Sequence, residues 1–445
     1  MLNFMNQKWF VALTGMCLLG CSSVSKADLQ IDVRKGVAGV IPLILCGVED
    51  WNTEMTEVVK NDLASCGFFE IIPFESSSAS KKDLLMGRGL DAWNTRKGSR
   101  LAVCHVSSEG SRWVATIRFF DVCSKRFLGE VLVKGSQENP RLFAHKLSNS
   151  VYKKLTGEDG YFHTKLFYTC QYGPATNKIR RIAQIDIDGA NCRVLTPVQQ
   201  EALIPKGTKT GSKVTYIIKN KNSGKYRIHV LDMTTKALSV LPDEGCLISP
   251  QFSPSGNEVI YAKISPKGES SLAIYNPSSG STRPFSVYTG GQAFQVSPSY
   301  SPDGRMVAFS AQLSESTRPK IYVKPASGGS LVCISRGQGS YFCPVWSPDG
   351  RWIACIKKSK GNFYLCVMTP SGDQERAISQ AFLLDQPTWA PNSRWVACSF
   401  QTGRYKPFHI MMAHISGRFM RTVNTSLGGV SHEGNHPSWC GELQD

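Results

Sequence analysis

The sequence has no uncharged apolar run near the roughly 20 residues a membrane-spanning helix needs, apart from a shorter one at the amino terminus. The bulk of the chain therefore reads as water-soluble. It also has no G-x-S-x-G, no P-loop, no dinucleotide fingerprint, no H-E-x-x-H and no C-x-x-C. These absences remove the usual sequence signals of a serine hydrolase, a nucleotide-binding enzyme, a zinc protease and a dithiol oxidoreductase. The eight histidines are scattered, and Gly434 and Pro437 oppose a helix that would pair His432 with His436, so no metal and no cofactor are expected. Acidic residues are in short supply, 34 against 51 Lys and Arg, a formal charge of +17. Without any basic block of five or more, that surplus reads as a solvated basic face rather than a nucleic-acid groove.

What is present is a globular composition: 41% hydrophobic residues with 39 Gly and 23 Pro over 445 residues, enough for more than one domain. A weakly basic start, the apolar stretch Trp9 to Gly20 and the small residues of Ser25-Lys26-Ala27 form a secretory leader, residues 1–27, with cleavage after Ala27. Leu18-Leu19-Gly20-Cys21 offers a second reading, lipid anchoring through Cys21. Both place the protein outside the cytoplasm. Beyond Cys21 lie 13 of the 15 cysteines, an odd number, so at least one thiol stays unpaired internally. Several, Cys355 and Cys398 among them, fall at inward strand positions where Cys acts as a small hydrophobe.

The strongest signal is an internal repeat. Phe252-Ser-Pro-Ser-Gly256 recurs as Tyr300-Ser-Pro-Asp-Gly304, Trp346-Ser-Pro-Asp-Gly350 and Trp389-Ala-Pro-Asn-Ser393, with degenerate copies at Lys209-Thr-Gly211 and Trp439-Cys-Gly441. Gly211, Gly256, Gly304 and Gly350 are 45, 48 and 46 residues apart, the period of a four-stranded propeller blade. Pro pre-sets the second turn position, Asp accepts from backbone amides, and Gly takes the exit φ. Each turn is followed by β-prone runs such as Met306 to Ser310 and Lys320 to Val323. Six units follow. The last contributes only the strand before its turn, and Lys165 to Cys170, Lys178 to Asp186 and Cys192 to Leu195 supply the missing three. A six-bladed propeller over 163–445, closed by its first and last strands, is predicted.

Residues 28–158 differ. Leu29 to Val33 alternates like an edge strand, Val40 to Leu45 reads as a buried strand, and Thr53 to Ser65 has helical spacing in Met55, Val58, Val59 and Leu63, ended by Gly67. Phe68 to Ile72, Leu101 to Val106, Trp113 to Asp121 and Phe127 to Val133 read as strands, and Pro140 to Lys154 as a closing helix. The fold class is thus multidomain, a small amino-terminal α/β domain followed by an all-β propeller, with Thr156 to Gly160 between them.

In every blade the inner strand runs toward its Ser-Pro turn, so the residues at its start form a rim around the axis at the other end. Cys246, Leu247, Ile248 and Ser249; Gln295, Val296 and Ser297; Tyr341 and Phe342; Asp385 and Gln386; and His432 and Glu433 make up this rim. Aromatics, amides and few charges suit protein binding at least as well as a small-molecule site; taken one at a time, such residues also serve as plain connectors.

Leader, α/β segment and six Ser-Pro-Asp-Gly blades together resemble the TolB family, periplasmic components of the Tol-Pal system. Further matches are Asn61-Asp-Leu-Ala-Ser-Cys-Gly-Phe-Phe69, Lys154-Leu-Thr-Gly157 and Pro437-Ser-Trp439. The resemblance implies a monomeric, non-enzymatic adaptor that supports outer-membrane integrity and invagination during division. Its rim would bind a Pal-like peptidoglycan-associated lipoprotein, with Cys246, Ser249 and Val296 the best aligned positions. The segment Asp28, Leu29, Gln30, Ile31, Asp32, Val33 and Arg34 would engage a TolA-like inner-membrane protein. Thirteen cysteines after the leader depart from the family pattern. Other readings of the same sequence are an extracytoplasmic propeller enzyme and a glycan-binding protein.

Overall fold

The structure, a computed structural model, describes residues 39–48, 53–73, 80–90, 99–174, 177–220, 223–243, 245–286, 294–314, 317–427 and 430–442. The leader, Cys21 and the segment Asp28 to Arg34 lie outside these residues.

The first region is a five-stranded sheet with helices. Its strands are β1 (Ile41–Val48), β2 (Phe69–Ile72), β3 (Arg100–Glu109), β4 (Arg112–Asp121) and β5 (Arg126–Ser136), in the order β2-β1-β3-β4-β5. β1 runs parallel to both neighbours, and the remaining pairs are antiparallel. Helix α1 (Thr53–Ser65) buries Met55, Val58, Val59 and Leu63, the one-sided stripe that packs a helix on a sheet. A single-turn helix α2 (Lys81–Leu85) is capped by Ser80, whose Oγ accepts from the Asp83 amide at 3.1 Å. Helix α3 (Pro140–Thr156) begins at a proline behind the cap Asn139, which accepts from Leu142 N at 3.0 Å. It ends at Gly157, whose φ of 78° suits only a residue without Cβ strain.

From Thr164 onward six four-stranded antiparallel sheets form the propeller. Five have consecutive strands, and their inner strands are Ala202–Gly207, Cys246–Phe252, Phe294–Tyr300, Ser340–Trp346 and Leu383–Trp389. The sixth has the inner strand Glu433–Glu442, paired antiparallel with Thr164–Tyr172, followed by Ile179–Asp186 and Arg193–Val194. The carboxyl-terminal strand thus completes the first blade, and the ring closes with no open seam. Trp439 locks it: its indole Nε1 donates to Thr164 Oγ1 at 2.8 Å, and its amide to Thr388 Oγ1 of the preceding blade at 2.9 Å.

The repeated turns have the geometry their residues dictate. In Ser301–Gly304 the Gly304 amide bonds Ser301 O at 2.9 Å, and Asp303 Oδ1 accepts from Ser301 Oγ at 2.6 Å and from Arg305 N at 3.1 Å. Gly304 and Gly350 have φ of 74° and 72°.

One hydrophobic cluster runs from α1, α3 and the sheet into the closing and fifth blades. Phe68 packs 4.3 Å from Phe419, and Tyr161 lies 5.4 Å from the fully buried Trp395. The connecting residues are built into this contact: Tyr152 Oη donates to Glu158 at 2.9 Å, and Asn392 Nδ2 donates to Asp159 O at 2.7 Å. Trp395, Phe419 and Asn392 belong to Ser-Pro-side turns or strand ends, so among the described residues the α/β region covers that end of the propeller and leaves the other end open.

Candidate functional site: the propeller axis and its open rim

All six inner strands share a feature that repeats with the fold. Ile204, Ser249, Ser297, Cys343, Gln386 and His436 have φ of 48–53°, left-handed backbone that non-glycine residues rarely adopt. Each precedes a proline: Pro205, Pro250, Pro298, Pro344, Pro387 and Pro437. At each, the pairing with the second strand skips register. A proline cannot donate to a ladder, so a central strand accommodates it only at such a bulge. Four of the six bulges turn Ser249, Ser297, Cys343 and Gln386, with their prolines, into the wall of an axial cavity also lined by Lys206, Gln251, Ser299 and Val345. Side-chain hydroxyls stitch the ring around this hub: Ser299 Oγ accepts from Trp346 N at 3.2 Å, and Ser438 Oγ from Gly207 N at 3.0 Å. At the bulges themselves, Thr169 Oγ1 accepts from Ile204 N and Ser399 Oγ from His436 N.

The hub is polar but poor in free charge. Burial pushes the Asp385 carboxyl up to about 6, against the Cys343 thiol that donates to it at 3.4 Å, the Gln386 amide and the Lys206 ammonium. Burial lowers Lys206, an effect that Cys343 and Asp385 oppose. The Cys343 thiol is raised by burial and by the adjacent Asp385, which disfavours a thiolate nucleophile. Burial, with Lys206 and Arg180, holds His436 down at about 3, so its imidazole is neutral. A raised carboxyl, a protonated thiol and a neutral imidazole make a recognition surface rather than an activated nucleophile with its base.

The rim residues named from the sequence separate into groups. Ser249, Ser297, Asp385 and Gln386 gather at the axis. Leu247, Ile248 and Val296 point into the core between blades. Gln295 is buried, and its amide and carbonyl both bond Ser270 Oγ, at 2.7 and 2.8 Å. Tyr341 is fully buried with its hydroxyl on Glu375, while Phe342 packs beside the neighbouring core. Cys246 is half-buried at the strand start. His432 stacks on Tyr168, whose hydroxyl is 2.7 Å from its Nε2, and Glu433 accepts from Lys178 and Gln171, each at 2.7 Å. Cys343, the end of the rim stretch Gly339 to Cys343 in the sequence, lines the cavity, while Lys206, which shares it, escaped the sequence reading. A signal for the bulges themselves was present: the repeat extends upstream as Pro-x-aromatic-Ser/Ala-Pro, in Pro250 to Pro254, Pro298 to Pro302, Pro344 to Pro348 and Pro387 to Pro391.

Among the described residues no helix is long and apolar enough to cross a membrane. One group of candidate metal ligands occurs among them, Asp62, His145 and Asp188, away from the axis at the contact between α1, α3 and the closing blade.

Comparison with known proteins agrees with the fold. The TolB amino-terminal domain model matches residues 29–128 and the TolB beta propeller domain model residues 152–443. The Tol-Pal system protein TolB of Gluconobacter oxydans is 30% identical over 367 residues, 82% of this chain and 77% of that one. That of Cereibacter sphaeroides is 30% identical over 231 residues, 50% and 52% of the two chains. The crystal structure of TolB from Acinetobacter baumannii superposes with a TM-score of 0.73 at 18% identity, covering 90% of this chain and 96% of that one. The role those names carry is non-enzymatic.

Proposed function

The chain belongs to the TolB family of Tol-Pal system proteins, and from that premise we propose that it is a periplasmic adaptor linking two layers of the cell envelope. The observation that carries this reading is the asymmetry of the propeller. One end is occupied by the α/β region through the Phe68–Phe419 and Tyr161–Trp395 contacts, and the other presents an open rim around a rigid, polar hub. A six-fold ring of strained, proline-locked bulges is preorganised, so a partner docks there without ordering the backbone. The partner assigned to this rim is a Pal-like peptidoglycan-associated lipoprotein. The exported chain begins at Asp28, and its segment Asp28 to Arg34 engages a TolA-like inner-membrane protein by strand addition. Bridging these partners supports outer-membrane integrity and invagination during division.

The test is recovery of a Pal-like lipoprotein from envelope extracts on the immobilised protein. Bulky substitutions at Ser249 and Gln386, with circular dichroism unchanged, are expected to abolish recovery. Undiminished recovery by these variants rejects the rim as the site.

A further inference from the structure

Part of the chain's formal charge of +17 is carried by the open rim. Each blade's second and third strands meet in a hairpin beside the start of an inner strand, as the pairings Cys246↔Ile264, Ser340↔Lys358 and Leu383↔Gln401 place them. These hairpin tips encircle the axial mouth. Five of the six carry exposed cations: Lys225, Lys267, Arg318, Lys360, and Arg404 with Lys406. None has a carboxylate within 4 Å among the described residues.

Four of the nearby acids are held by other cations. Glu433 holds Lys178 at 2.7 Å, Glu201 holds Arg180 at 2.5 Å, Asp243 holds Lys263 at 3.3 Å and Glu375 holds Lys357 at 2.6 Å. At the covered end Arg305, Arg351 and Arg394 lie 3.9, 3.4 and 3.7 Å from Asp303, Asp349 and Glu158. Cations left without counter-charges around one opening repel one another, a cost that an incoming anionic surface removes. Tyr405 adds a contact: it is 86% exposed, with the Arg404 guanidinium 5.0 Å from its ring, the aromatic–Arg pairing typical of interface anchors.

We propose that the open rim is an electrostatic docking crown for an acidic, convex protein surface, with the charged hairpin tips steering and gripping the partner around the neutral hub. The shape decides between acidic protein and anionic bilayer: the tips surround a recessed axis, which a convex protein surface fills and a flat membrane leaves empty. This inference rests on the adaptor reading, and it adds that the lipoprotein face which meets the rim is acidic.

The experiment titrates the full exported chain with the soluble, unlipidated domain of the peptidoglycan-associated lipoprotein from the same cell, at salt from about 50 to 500 mM. Affinity should fall at least about tenfold across that range, mostly through slower association. The charge reversals Lys225→Glu, Lys267→Glu, Lys360→Glu and Arg404→Glu together should weaken binding at low salt by about a hundredfold or more. Arg305→Glu with Arg351→Glu, on the covered end, should leave it within about twofold, and melting curves check that both variants fold. Tight binding that ignores both salt and the rim reversals overturns the electrostatic crown and leaves the adaptor reading standing. No binding at any salt rejects both. Rim-dependent capture of phosphatidylglycerol vesicles with no capture of the lipoprotein overturns the proposal in favour of a lipid surface.

Discussion

His145 Nδ1 donates to the Asp62 carboxylate at 2.7 Å, and both side chains are buried where α3 meets α1. The other ring nitrogen faces Asp188 of the closing blade at 3.8 Å, and Arg141 pairs with the same Asp188. This chain of charges ties the α/β region to the propeller beside Leu63, Ala144 and Ile187 of the apolar cluster. Burial pushes His145 down, but the hydrogen bond to Asp62 and the charges of Asp62 and Asp188 outweigh it, and its proton is held more tightly than in water. A raised folded value means the stabilisation is complete below the ordinary pKa of about 6.5 and is lost as pH rises through the folded value. His145→Leu is therefore expected to cost about 3–5 kcal/mol near pH 6, since it strands a buried carboxylate. The variant should also lack the wild-type loss of stability above neutrality. Urea midpoints at pH 6 and pH 9 measure both effects; equal slopes in the two proteins would remove the histidine from the account.

Glu158 acts in the opposite direction at the same junction. Burial raises its carboxyl, but His414 at 3.3 Å, Tyr152 and Arg394 outweigh it and pull it below the usual carboxylate range. A depressed folded value gives stability that is present above about pH 4.3 and disappears as pH falls through the folded value. Glu158→Gln should lose about 1–2 kcal/mol at pH 7 and nothing at pH 3, read by thermal melting. A loss that is the same at both pH values would show that packing, not charge, is responsible.

Closure of the ring gives a third expectation. Trp439 is 7% exposed, bonds Thr164 across the seam and stacks edge-on against Tyr161 at 5.8 Å. Trp439→Ala removes the hydrogen bond and most of the packing at the one place where chain connectivity does not hold two strands together. A loss of about 3–5 kcal/mol is expected. The resulting opening should expose Lys165 to Cys170 to amide exchange before any other blade. Protection lost uniformly across the six blades would contradict a seam-first opening.

These relationships differ in how far they could be read from the chain. The Ser-Pro-Asp-Gly turns were legible because Pro fixes one φ, Gly supplies another, and the period repeats them. Helix α1 was legible because Met55, Val58, Val59 and Leu63 carry its stripe, and the structure has the same limits, Thr53–Ser65. Helix α2 is a single turn, too short for periodicity to register. The bulges at Pro250 and its counterparts were not legible one by one, because proline removes a ladder donor but nothing local shows that the strand continues around it. The Asp62–His145 pair spans 83 residues and neither member stands out locally, so only the packing of α1 on α3 brings them together.

The axial carboxyl should be visible in the pH dependence of stability. Asp385 titrates near 6 where the unfolded chain titrates near 3.9, so its contribution is complete below about pH 4 and lost as pH rises to about 6. Asp385→Asn should be more stable than wild type by about 1 kcal/mol at pH 7.5, a shift reduced from its full value by solvent in the cavity, and equal to it at pH 4. Melting temperatures at the two pH values decide it. Destabilisation at pH 7.5 would mean that the attraction between Asp385 and Lys206 outweighs the cost of burying the carboxylate.

Thiol chemistry provides a test that uses no mutation. All 13 described cysteines are thiols, yet only Cys123 and Cys333 are exposed. Burial pushes Cys66, Cys170, Cys366 and Cys440 up to about 12 and Cys46 to about 11, which leaves almost no thiolate at neutral pH. Cys355 and Cys366 face each other across neighbouring strands of one blade and remain thiols there. Ellman's reagent at pH 8 should therefore titrate two thiols quickly in the folded chain prepared without residues 1–27, the half-buried Cys192 and Cys246 slowly, and all 13 after denaturation. A total that falls short by an even number would reveal disulfides. If Cys355 and Cys366 supplied the missing pair, the core positions assigned here to packing would instead be a covalent link formed outside the cytoplasm.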